Sequence, residues 1–252
     1  MLSKQVTKIV QNLEKKKFRE KYQLFKVEGE KLVSELLCST FKIHSILAYP
    51  EWISNHQAQL KEKQIIEVNQ KEMSYLSNFQ SLPEVIALVH IPTSHFQVAE
   101  IREHLSLLLN GIQDPGNLGT ILRLADWFGI QHVFCDSDCA SVYNPKCVQA
   151  SMGAIFRINT HYTELIPLIQ QMKQPDFPIY GTFLNGRNIY TTPLKPKGFI
   201  IMGNEGKGIS TEIEELISCK LTIPSFAHNE FATESLNVGV ATGIVLSEFK
   251  RR

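Results

Sequence analysis

From residue 105 onward, short runs of Leu, Ile and Val alternate with stretches whose apolar residues recur at helical spacing. LSLLLNGI, QHVFCD, AIFRINTH, PIYGTFL, GFIIMGN and LTIPS read as strands; LGTILRLADWFG, NPKCVQASMG, TELIPLIQQM, TEIEELI and ESLNVGVATGIVLSEF read as helices. Strands that are apolar almost throughout are buried on both faces, and strands joined through helices run parallel. The alternation therefore predicts an α/β fold with a mostly parallel sheet and helices on both of its faces.

The preceding part of the 252-residue chain reads as a smaller α/β layer. Residues 3–17 have helical spacing; EKLVSELL, EWISNHQAQL and QKEMSYLS follow as helices, and IHSILAYP, QIIEVN and EVIALVHIP as strands. The polar, proline-bearing stretch PTSHFQVAE is the natural boundary, near residues 92–100, which gives domains of 1–95 and 96–252. The formal net charge is only +1, yet residues 1–31 carry nine Lys or Arg against four Glu. That asymmetry suits contact with a polyanion, and equally a solvated helix face. Phe18, Tyr22, Leu24, Phe25 and Val27 interleave with these cations and can serve either as an RNA-binding patch or as core.

No apolar run reaches the ~18 residues of a spanning helix, and the first residues lack the apolar centre of a signal peptide, so a cytoplasmic protein without membrane contact is expected. The five cysteines suggest reduced thiols; Cys135 and Cys139 form a C-x-x-x-C pair with no second pair nearby, so no metal is expected.

Ligands of parallel sheets sit outside the carboxyl ends of the strands, and three turns there concentrate small and polar residues. In NGIQDPGNLGTILRLADWFGI, residues 110–130, Asn117 can cap a helix opened by Leu118; Leu118, Ile121, Leu122, Ala125 and Phe128 form its apolar stripe, and Gly129 ends it. Arg123 stands off that stripe, either facing a bound anion or as an exposed charge. In FIIMGNEGKGIS, residues 199–210, the glycine spacing matches neither a P-loop nor a dinucleotide fingerprint. Glu205 would repel a pyrophosphate, so a neutral or cationic ligand fits better, unless the loop is a plain turn whose glycines supply positive φ. In IPSFAHNEFATESLNVGVATGIVL, residues 223–246, a helix begins at Glu234-Ser235 and places Ser235 and Asn237 in its first turn. Gly239 and Gly243, four apart, allow close packing within the fold or across a dimer.

Together, DPGNLGTILRLADWFG, IMGNEGKGIS and IP…ESLNVGVATG, with SVYNPKCVQASMGAIFR between the first two, resemble the motifs of the SpoU/TrmH branch of the SPOUT RNA methyltransferases. KKKFREKYQLFKVEGEKLVSELL is similar to the ribosomal-protein-like substrate-binding domain often fused ahead of that catalytic unit. The resemblance implies transfer of a methyl group from S-adenosylmethionine to a ribose 2′-hydroxyl in rRNA or tRNA, with rRNA favoured. It further implies a C-terminal trefoil knot and a homodimer with the active site at the subunit interface. Carried over by motif position, Asn117, Arg123, Glu205, Ser235 and Asn237 form the catalytic set. Thr182, Met202, Gly203, Gly208, Ile223, Ser235 and Leu236 contact the methyl donor. A guanidinium stays protonated in proteins, so Arg123 is expected to clamp a phosphate and stabilise the developing alkoxide rather than act as base. The loop from Ser225 to Glu234 is longer than the family's, and its His228 is read as incidental to catalysis. The competing reading is a non-catalytic RNA-binding or ribosome-assembly protein that keeps the fold; a nucleotide-dependent oxidoreductase fails on glycine order.

Overall fold

The computed structural model describes residues 2–227 and 234–251, and the chain divides by its contacts into two units. The first comprises residues 1–93 together with 141–156, the second 94–140 together with 157–252. His228 lies outside the described residues.

The first unit runs α1 (Lys4–Asn12), α2 (Lys16–Tyr22), β1 (Leu24–Glu28), α3 (Glu30–Leu37), β2 (Ile43–Ala48), α4 (Pro50–Asn55), β3 (Ile65–Glu67), α5 (Gln70–Leu76) and β4 (Val85–His90). Its sheet has the order β1-β4-β2-β3, antiparallel except for β2 with β3. Val10 and Leu13 pack with Met73, Leu76, Ile86 and Leu88 in one apolar cluster. Asn69 and Glu72 close a reciprocal capping box on α5.

Residues 3–17 do not form the single expected helix. Arg19, itself buried, donates from Nη1 to the Leu13 and Glu14 carbonyls at 2.9 Å each, and captures acceptors that a continuing helix would use. Lys26 is also buried; its ammonium meets Glu14 Oε1 and Glu28 Oε1 at 2.6 Å and donates to the Leu76 carbonyl at 3.2 Å. Two of the nine leading cations are thus structural. Leu24, Phe25 and Val27 are likewise core, while Phe18 and Tyr22 are half-buried and stacked.

The second unit contributes α6 (Val98–Arg102), β5 (Leu105–Asn110), α7 (Pro115–Trp127) and β6 (His132–Cys135) before the chain returns to the first unit as α8 (Pro145–Ser151). There Tyr143 packs on Phe25 with ring centroids 4.8 Å apart, and Gln149 Nε2 donates to the Glu28 carbonyl at 2.9 Å. Burial pushes the Tyr143 phenol up to about 12. Residues 154–156, expected as strand, form a 3₁₀ turn beyond Met152 and Gly153, both at positive φ. The second unit resumes with β7 (Asn159–Tyr162), α9 (Leu165–Met172), β8 (Ile179–Asn188), β9 (Gly198–Gly203), α10 (Thr211–Glu214), β10 (Cys219–Thr222) and α11 (Val238–Arg251).

These strands form one six-stranded sheet of order β10-β8-β9-β5-β6-β7 in which every pairing is parallel. The central strands are buried throughout most of their length, as their unbroken apolar runs require. One irregularity matters. Lys220 of β10 pairs with Gly181 of β8, but Leu221 pairs with Arg187, so residues 182–186 leave the ladder. His132 and His161, on adjacent β6 and β7, are buried and stacked, with His132 Nδ1 3.0 Å from His161 Nε2, and His161 Nδ1 meets Ser94 Oγ.

Candidate functional site

The order β10-β8-β9-β5 sets the carboxyl ends of four parallel strands side by side, and the three motif-bearing turns leave from three of them. The β5–α7 turn is built around Asp114. Its Oδ1 accepts from the Asn117 N–H at 2.8 Å, and Pro115 occupies the first helical position. Asp114, not Asn117, therefore caps α7, which begins three residues earlier than expected. The exchange leaves the Asn117 carboxamide available for other contacts.

The β9–α10 turn is closed on itself. Asn204 and Gly208 exchange backbone hydrogen bonds at 3.0 and 2.9 Å, and Asn204 Oδ1 accepts from Gly206 N at 2.9 Å and Lys207 N at 3.0 Å. Its Nδ2 donates to the Gly111 carbonyl at 2.7 Å, lashing this turn to the first. Gly208 has φ +72°, and a Cβ on Gly203 would stand 2.5 Å from the Gly208 carbonyl carbon, so both positions demand glycine. Glu205 is an exposed residue of this closed loop.

The third turn precedes α11. This helix begins at Val238 rather than Glu234, because Asn237 serves as its cap, its Oδ1 accepting from Gly239 N at 3.0 Å and Val240 N at 3.3 Å. Ser235 and Leu236 consequently lie before the helix, both exposed, not in its first turn. A Cβ on Gly239 would come within 3.1 Å of Thr120 Cγ2, so α11 packs closely on α7 within one chain.

These three turns meet through side chains. Asn117 Nδ2 donates to Glu205 Oε1 at 2.6 Å, and Asn237 Nδ2 donates to Asn117 Oδ1 at 3.0 Å. The central amide thus reads both neighbours at once and fixes its own orientation. Arg123 is exposed on α7, and no hydrogen bond or ion pair ties it to this trio among the described residues. Six residues beyond Asn117, it stands roughly 9 Å farther along the helix axis.

Of the expected donor-contacting residues, Met202 is buried in β9, Gly203 ends that strand, and Gly208 is exposed in the loop. Thr182 is the first residue of β8 beyond its pairing with β9, its Oγ1 3.2 Å from the Ile201 carbonyl and 3.7 Å from Met202 Sδ. Ile223 directly follows β10 and is half-buried. Among the described residues, no hydrogen bond joins Ser235 or Leu236 to the trio.

Three organising residues escaped the motif reading. Asp136, at the end of β6, accepts from Asn110 Nδ2 at 2.7 Å and Gly111 N at 2.9 Å through Oδ2, and from Asp138 N and Cys139 N through Oδ1. Asn110 Oδ1 in turn accepts from Ser210 N at 2.8 Å. Asn110, Asp136 and Asn204 therefore stitch neighbouring turns together; an Asn or Asp at the last residue of a strand or directly after it was the available signal. No group of His, Cys, Asp and Glu suited to a metal ion occurs among the described residues, and no helix there is long and apolar enough to cross a membrane.

The side chains that join the three motif turns are two carboxamides and one carboxylate, with the Thr182 hydroxyl and backbone groups at the same strand ends. That chemistry matches a sulfonium-bearing nucleoside and opposes a pyrophosphate. The SpoU rRNA Methylase family profile matches residues 104–247, and that of the MRM3-like substrate binding domain matches residues 4–87. The chain is 30% identical over 236 residues to the 23S rRNA (guanosine(2553)-2′-O)-methyltransferase RlmP of Bacillus subtilis, covering 93% of this chain and 91% of that one. A TrmH-family structure from Porphyromonas gingivalis superposes with a TM-score of 0.86 at 35% identity, covering 100% of this chain and 99% of the other. An S-adenosylmethionine-bound rRNA methyltransferase from Sinorhizobium meliloti superposes with a TM-score of 0.86 at 26% identity, covering 100% and 96%.

Proposed function

Since the chain belongs to the SpoU rRNA methylase family, we propose that it transfers a methyl group from S-adenosylmethionine to a ribose 2′-hydroxyl of ribosomal RNA. The observation that carries this reading is the hydrogen-bonded series Glu205–Asn117–Asn237, which joins all three motif turns at the carboxyl ends of a parallel sheet. The Bacillus subtilis relative acts on a 23S rRNA guanosine, and that nucleotide is the first position to test.

S-adenosylmethionine, when bound, supplies a methyl group activated by a positively charged sulfur. Thr182, Met202, Gly203, Gly208, Ile223, Ser235 and Leu236 would hold it, largely through backbone groups and short side chains. Glu205 faces a cation favourably and orients Asn117, whose carboxamide is already committed between Glu205 and Asn237. With the donor bound, the ribose oxygen would take the methyl carbon as the carbon–sulfur bond breaks to leave a neutral thioether, and the hydroxyl proton would pass to water, with negative charge developing on the oxygen as it is deprotonated. A guanidinium is a poor base, so the role of Arg123 is to bind the adjoining phosphate and stabilise this charge, with Ser235 and Asn237 aligning the hydroxyl. The separation of Arg123 from the trio along α7 fits this division: one group on the RNA backbone, the others at the methyl donor.

Residues 1–95 select the RNA and residues 96–252 perform the chemistry. The same reading gives a cytoplasmic homodimer with a knotted C-terminal segment; exposed Leu236 and Val240, beside the trio, support a second copy there. Calorimetry should show S-adenosylmethionine binding to wild type and to Arg123→Ala alike, while single-turnover methylation of ribosomal RNA falls sharply in Arg123→Ala. Unchanged methylation in that variant would defeat the assignment of Arg123.

A further inference from the structure

The first unit contains a cleft of about 340 Å³ beside α1 that the proposed methyl transfer does not use. Ile9 of α1 and Leu88 of β4 give it apolar walls. Four other groups facing it carry π faces or hydrogen-bonding edges: Tyr22 at the end of α2, His44 of β2, Gln64 just before β3, and His90 at the end of β4. The His44 and His90 rings stand 5.5 Å apart at 58°, and His44 Nδ1 lies 3.0 Å from Ser45 Oγ, which fixes the ring.

Two lysines flank this cleft without lining it. Lys21 Nζ lies 5.7 Å from the Tyr22 ring centroid, and Lys42 acts electrostatically on His90. Burial first, then His44 and Lys42, hold His90 below the usual imidazole range, so it is neutral at pH 7 and offers one donor and one acceptor.

We propose that this cleft receives one unstacked nucleobase from a single-stranded stretch of the RNA substrate, with Lys21 and Lys42 meeting the flanking phosphates. The inference rests on the RNA-methyltransferase reading and gives the substrate-binding unit a defined contact. Small-molecule pockets span about 300–1,000 Å³, and a cleft at the lower end suits a single flat heterocycle rather than a larger ligand. Aromatic faces stack bases of any identity, while Gln64 and His90 match a base edge. A lipid chain would offer no partner to Gln64 or to the His90 ring. An acidic peptide would want its cations inside the cleft, where there are none among the lining residues.

The test uses the full chain at physiological ionic strength and two labelled probes: a short single-stranded RNA and an abasic RNA of the same length. Wild type should bind the base-bearing probe about ten-fold more tightly. His44→Ala combined with Gln64→Ala, both exposed positions, should abolish that preference while the abasic affinity stays the same; Gln64→Glu should also reduce it. Lys21→Ala with Lys42→Ala should weaken both probes equally and flatten the salt dependence. Thermal melts of each variant check folding. Preference that survives in the His44/Gln64 variant overturns the proposal, as does wild type that binds ribosomal RNA yet treats the probes alike. Wild type that binds neither probe nor ribosomal RNA overturns both this site and the substrate-unit reading.

Discussion

Two three-residue polar groups, one in each unit, share a form and differ in surroundings. In the first unit the Lys26 ammonium sits between Glu14 and Glu28 and is sealed by a backbone carbonyl. In the second, the Asn117 carboxamide sits between Glu205 and Asn237 at the carboxyl ends of the parallel strands. In the first group Lys26 and Glu28 are buried while Glu14 stays partly exposed, and the buried ammonium is tolerated because two carboxylates and a carbonyl meet it. The open group spans three turns and keeps an exposed carboxylate. Burial, not residue type, separates a polar cluster that organises a core from one that can perform chemistry.

Breaking the enclosed group should have the largest effect on stability. Lys26→Ala leaves two glutamates facing each other without a cation and should cost about 3–5 kcal/mol in urea unfolding, whereas Lys26→Met with both glutamates changed to Gln should recover much of it. A loss under about 1 kcal/mol for Lys26→Ala would show that the glutamates are satisfied without the ammonium, through the partly exposed Glu14. The open group should respond in activity instead. Asn117→Ala should lower the methylation rate constant about 100-fold with little change in melting temperature, and Asn117→Asp should do worse because it sets a second carboxylate against Glu205.

A smaller effect comes from pH. Burial, with His132 close by, holds His161 down to about 4, and His132 is lowered mainly by burial, with nearby Glu100 opposing and His104 adding. The unfolded chain therefore binds protons that the folded chain refuses. Stability from this pair is complete above pH 6.5 and declines as pH falls toward 4, on the order of 3 kcal/mol for His161. His161→Phe should flatten that slope in denaturant titrations at pH 7 and pH 5; an unchanged slope would assign it elsewhere. The smallest change is Asp114→Ala, which removes the α7 cap and should cost about 1 kcal/mol, with a further fall in activity if Asn117 then turns back to cap the helix.

The parallel sheet was legible because uninterrupted apolar strands alternating with amphipathic helices leave few other arrangements. The capping residue of α7 was not: Asp114 and Asn117 both have capping chemistry, and Pro115 at the first helical position was the cue that decides between them. The break between α1 and α2 depends on where the Arg19 side chain turns, which periodicity does not encode. Residues 144–153 have helical spacing, but nothing local assigns the 141–156 stretch to the first unit; Tyr143 on Phe25 does. The meeting of Asn117 with residues 88 and 120 positions away is likewise beyond local pattern, and only the resemblance pointed to it.

The central claim is methylation of a ribose oxygen, and alkaline hydrolysis reads it directly, because a 2′-O-methyl group removes the nucleophile that cleaves the next phosphodiester. Purified protein incubated with methyl-labelled S-adenosylmethionine and unmodified ribosomal RNA should place the label in alkali-stable dinucleotides, and Arg123→Ala should largely abolish it. Label recovered instead in mononucleotides, or RNA left unlabelled by protein that binds the donor, would contradict the account.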